Sequence, residues 1–159
     1  MRTSAISHPG WMRVISGGLL ASAFSGVMLV WRGRRDTASA AAPLNAVSHW
    51  LWPRRALRSN QVSLRHTVTG AVVHTASSML WAWVFGELQA RRRQPGVANA
   101  LTDAAAVTAV ASLVDLKLVP QRLSPGFERR LQPASTAIVY VGFAVGLTLA
   151  ARVGSAPRR

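Results

Sequence analysis

Four long apolar stretches, at residues 13–31, 67–87, 98–119 and 134–152, alternate along this chain with clusters of arginine. That alternation leaves few folds open. A helix needs ~20 residues to cross a hydrocarbon core of ~30 Å, and each stretch has about that length. In hydrocarbon the backbone amides must be satisfied within the fold, as a helix does. The expected architecture is all-α: an integral membrane bundle of four transmembrane helices, forming one domain over residues 1–159.

Charge supports this reading through its placement. The net charge of +14 comes from 19 Lys+Arg against 5 Asp+Glu, an excess that suits either nucleic acid or a membrane surface. Arg32, Arg34 and Arg35, then Arg54, Arg55 and Arg58, Arg91–Arg93, Arg129 with Arg130, and Arg158 with Arg159 fall between the apolar runs, not along one helix face. Loops flanking membrane spans have this pattern. The expected partners are the lipid bilayer and its anionic head groups, and nucleic acid is not among them. Half of the residues are hydrophobic, too many for a disordered chain. The absence of cysteine rules out disulfides, c-type haem attachment and thiolate-bound iron–sulfur clusters.

The first stretch is bracketed by Trp11 and Trp31, and Gly18, Ser22 and Gly26 make a small-residue strip on it. A secretory signal cleaved near Ala38-Ser39-Ala40 is a competing reading. The apolar run exceeds the ~7–15 residues of a signal, though, and it ends in a stop-transfer flank of arginines. Residues 43–52 are expected to form a short interfacial helix, opened by Pro43 and closed by Pro53. There Leu44, Val47 and Leu51 would share an apolar face, with Trp50 and Trp52 at the headgroup level. A basic turn is expected at 91–96. The alanine-rich third stretch should sit inside the bundle, and Gly142, Gly146 and Ala150 on the fourth form a second small-residue seam. Packing is thus expected through the small-residue faces of the first, third and fourth spans. The loop at 119–133 has three prolines and one glycine, which favours a defined turn.

Four spans place both termini on one side. Arg2, Arg13, Arg91–Arg93, Arg152, Arg158 and Arg159 make eight cations there, and the first and third loops hold the other eleven of the nineteen. The positive-inside rule therefore puts those loops on the cytoplasmic side of the membrane.

Ionisable groups in hydrocarbon are costly, and each is a candidate for function. The candidate polar cluster is His49, His66, His74, Asp115 and Glu128. On a helical period His66, Gly70, His74, Ser77, Ser78 and Trp81 share a face. If the second and third spans are antiparallel neighbours, His66 meets Asp115, and such a pair could relay a proton or orient a metal ligand. The plainer reading makes His74 a packing staple between helices, Ser77 and Ser78 helix-packing residues, and Trp81 and Trp83 interfacial anchors. His66 and His74 stand about 12 Å apart along the helix axis, too far to share one ion. No HExxH, GxSxG, phosphate-binding glycine loop or glycosidase carboxylate pair occurs. No catalytic, cofactor-binding or metal residue is therefore assigned.

Asn45, Ser48-His49-Trp50-Leu51-Trp52, Arg65-His66-Thr67, His74-Thr75-Ala76-Ser77-Ser78, Trp81-Ala82, Asp115, Pro120, Arg122-Leu123, Pro125-Gly126-Phe127-Glu128, Tyr140 and Gly146-Leu147 form a recurring pattern. Through it, residues 16–150 resemble a family of small uncharacterised bacterial four-helix inner-membrane proteins, built on a domain of unknown function. The resemblance implies the four-helix membrane fold and brings no activity, cofactor or catalytic residue. Pro53 departs from the family pattern, where a glycine commonly follows the His-Trp-Leu-Trp segment.

The expected function is that of a non-enzymatic membrane protein, structural or accessory, without cofactors. The alternative is a small transporter or proton-coupled permease using intramembrane His and Asp, working as a homo-oligomer or with a membrane-complex partner because four helices leave little room for a pore. A third reading is a membrane enzyme or haem protein using His66 or His74.

Overall fold

The computed structural model describes residues 10–92 and 96–154. The basic head at 1–9, Arg93 and Pro95 of the basic turn, and Arg158 with Arg159 lie outside the described residues. Those residues are almost entirely helical and include no strand, and four of the helices are long and apolar enough to cross a membrane.

Helix α1, Trp11–Thr37, runs 27 residues, about 40 Å at 1.5 Å per residue. It does not stop at Trp31 but carries Arg32, Arg34 and Arg35 through a further turn and a half, ending where Ala38 takes a left-handed φ of 55°. Arg32 can stay helical and buried because its Nε donates to Ser135 Oγ at 2.8 Å and Asp36 lies one turn on, at 3.8 Å. Helix α2, Ala42–Val47, continues as a 3₁₀ turn, Ser48–Trp50. Helix α3, Thr69–Ala90, is entered through a wide π turn, Leu64–Val68. Helix α4, Val97–Leu113, leaves through another, Val114–Leu118, and α5 spans Pro133–Gly154.

The most extensive contact is between α1 and α5, followed by α1 with α3 and α4 with α5. Small residues make the first of these close. A Cβ on Gly146 would stand 2.5 Å from Ala21 Cα, and one on Gly142 would stand 2.8 Å from Met28 Cγ. The α1 strip behaves differently from its sequence expectation. Gly18 closes on Met79 of α3, whereas Gly26 has nothing within 4 Å. Helix α4 buries Ala100, Ala104, Val107 and Ala111 on one face and exposes Ala105, Ala106 and Ala109 on the other. It lies at the edge of the bundle with one side open.

Segment 42–50 departs most from expectation. Ala42, Asn45, Ala46, Val47, Ser48 and His49 are all buried, and α2 packs against α1, α3 and the turn Phe127–Arg129. Leu44, Val47 and Leu51 present no common outer face, since Val47 is 2% and Leu51 61% exposed. Its few polar side chains find internal partners, so the segment is a plug between helices and not a surface-lying helix.

Candidate functional site

The connections 38–63 and 119–132 both leave the bundle at the same end, and side chains tie them into one cap. Trp50 Nε1 donates to the Ser124 carbonyl at 2.9 Å, and Arg130 donates to the Leu57 carbonyl and to Asn60 Oδ1. His49 sits between two carbonyls, with Nδ1 2.9 Å from Ala46 O and Nε2 3.2 Å from Gln121 O. A neutral imidazole carries one N–H and donates to one of them. Gly126 makes this closeness possible: its φ is 87°, and a Cβ there would stand 2.6 Å from His49 Nδ1. Asn45, fully buried, donates to the carbonyls of Ser59 and Gln61 at 3.1 and 2.9 Å and accepts from Thr67 Oγ1 at 2.6 Å.

His66 belongs to this cap. Its Nδ1 faces Ser48 Oγ at 3.2 Å, and its ring meets Trp52 edge-on at 5.3 Å. The expected pairing of His66 with Asp115 does not form. Segment 42–52 covers the first turns of α3, and Asp115 turns toward α5, where the Tyr140 hydroxyl donates to Oδ2 at 3.1 Å.

His74 is the histidine that shares space with Asp115. Both line a cavity of about 60 Å³ beneath the cap, together with Ser77, Ser78, Trp81 and Tyr140. At the ~30 Å³ that a water takes up in the liquid, that is room for about two waters. Helix α3 places His74, Ser77, Ser78 and Trp81 there by its 3.6-residue period, so this much of the expected stripe faces one space. Asp115 arrives by other means. It lies in the π turn closing α4, where Val119 N–H reaches back to Val114 O at 3.0 Å. Such turns shift a side chain off the α-helical register and recur at functional sites. His74 Nε2 faces Ser25 Oγ of α1 at 2.9 Å, and its ring stands edge-on to Phe127. Trp81 is not an outward anchor: it packs on the core and lines the cavity. Trp83 is exposed.

Glu128 lies at the cap, accepting from Ser124 Oγ at 2.7 Å with Arg129 at 3.7 Å, and it is near enough for its charge to act on Asp115 and Tyr140. At the opposite end Asp103, buried, accepts from Gln89 Nε2 at 2.6 Å and pairs with Arg92. Hydrogen bonding to that carboxylate raises the Arg92 guanidinium above its already high range. Among the described residues no three His, Asp or Glu side chains gather as a metal site would require.

Sequence reasoning left Tyr140, Ser25 and Asn45 out of the polar cluster. Tyr140, the single tyrosine of the chain, lies within an apolar stretch and could have been flagged as a polar group needing a partner. Ser25 and Asn45 give no such signal, because short polar residues are common on packed helices. No protein-family model, curated protein or solved structure matches the chain.

Proposed function

We propose that the chain is a multi-pass protein of the bacterial inner membrane, similar to the four-helix family named above, and that it acts as a small proton-coupled permease and not as an enzyme. The observation that carries this reading is the meeting of His74 and Asp115 in one cavity, at a depth where unpaired ionisable groups are seldom kept without use. The exposed cations at the capped end face the cytoplasm and its anionic head groups. Four helices leave little room for a pore, so transport involves a homo-oligomer or a membrane partner. Proton flux into proteoliposomes under an imposed pH gradient tests this. Folded Asp115→Asn and His74→Ala variants should lose at least about tenfold of the flux, and flux indifferent to both overturns the reading.

A structural or accessory role is the second reading, favoured by the cap around Asn45 and His49, whose polar groups satisfy one another. Under it the same two variants lose thermal stability in detergent, while the wild type carries no flux to lose.

A further inference from the structure

We infer that the His74–Asp115 cavity binds a small organic cation of the alkylammonium type. The inference rests on the permease reading and names the class of its substrate. Its first ground is the wall. Trp50, Trp81, Phe127, Tyr140 and Phe143 line the cavity, five of the eleven aromatic residues of a chain with six Trp, four Phe and one Tyr. Ring faces attract a desolvated cation within about 6 Å of their centroids.

The second ground is the charge. Asp36 and Asp103 each have an arginine, Arg32 and Arg92, but among the described residues no arginine or lysine pairs with Asp115. Its bond comes from the Tyr140 hydroxyl, in a chain with nearly four cations for every acid. A half-buried carboxylate without a counter-ion is stabilised either by a proton or by a cation brought beside it. An anion is excluded by Asp115 itself. A small hard metal ion would need several charged or oxygen ligands, and among the described residues no three His, Asp or Glu side chains gather to hold one. A methylammonium ion is two heavy atoms in size, which a cavity of about 60 Å³ accommodates, and it needs one negative charge and apolar, π-rich walls.

Methylammonium chloride titrated into the purified full-length protein in detergent tests the inference, with tryptophan fluorescence as the readout and sodium chloride at equal ionic strength as the reference. A saturable change with methylammonium and none with sodium is expected. Asp115→Asn should weaken binding at least tenfold. Trp81→Leu should weaken it about fivefold or more, and it reads the site if the Asp115 variant does not fold. No saturable response, or unchanged binding in both folded variants, overturns the inference. Binding without proton flux in liposomes keeps the cation site and overturns the permease reading, whereas flux without binding overturns only the cation class.

Discussion

The Ser25 hydroxyl donates to Ala21 O at 2.7 Å and stands 2.9 Å from His74 Nε2. With its one proton directed at the carbonyl, the serine accepts, and His74 is the donor at Nε2. The other ring nitrogen is then the one left for the rest of the imidazole's surroundings. Ser25→Ala removes the acceptor for His74 together with the local donor to Ala21 O, and should cost about 0.6 kcal/mol, typical of interhelical polar contacts. His74→Ala also opens a void against Phe127 and should cost about 2–3 kcal/mol. Melting in detergent ranks the two, and equal losses would show that the ring's packing contributes nothing beyond the bond.

Asn45 uses its amide as a donor toward Ser59 and Gln61 and its oxygen as an acceptor from Thr67. Asn45→Ala leaves buried carbonyls unpaired, for a loss of about 2–4 kcal/mol. Asn45→Asp, nearly isosteric, should be worse, because it turns a carboxylate oxygen toward two carbonyls. Denaturation of both variants gives the order, and an aspartate better tolerated than alanine contradicts the network.

Three glycines predict three outcomes. Gly126→Ala combines a left-handed φ with a collision against Ala46 O and His49, and should lose about 3 kcal/mol or fail to fold. Gly146→Ala forces α1 and α5 apart and should cost about 1–3 kcal/mol. Gly26→Ala meets open space and should be neutral or stabilising by up to about 1 kcal/mol. A uniform effect of all three on melting temperature would refute the close approaches.

Arg92 and Asp103 tie the α3–α4 turn. Arg92→Gln should lower the melting temperature at low salt. The difference from wild type should narrow in concentrated salt, because the exposed guanidinium is screened. A salt-independent difference would point to packing of the arginine stem instead of charge.

The four long helices are legible in the chain because hydropathy is a one-dimensional signal, and residues such as Val14, Leu29, Val107 and Leu147 carry it locally. Which helices touch is not local. The expectation that His66 meets Asp115 followed from adjacency of consecutive helices. It gave way to α2, which occupies the flank of α3, where a Cβ on Gly70 would run into Leu44 O. Burial of 42–50 was hidden for a related reason: alanines, a proline and short polar residues give little hydropathy, and their depth comes from the helices around them. The convergence of His74 with Asp115 depends on the π turn at Val114–Leu118, which apolar periodicity does not encode. The stripe on α3 was legible, and its partners on α1, α4 and α5 were not.

The broad contact of α1 with α5 joins the first of the four long helices to the fourth. During synthesis α1 emerges without the surface that will cover Ala21 and Leu29, and it stays so until residues near Leu147 have left the ribosome. Most neighbours in folded chains are sequential, and their assembly can begin early. Here closure waits for the fourth long helix, so a chain cut short before Pro133 keeps the helices for most of the bundle yet lacks the one that locks them together.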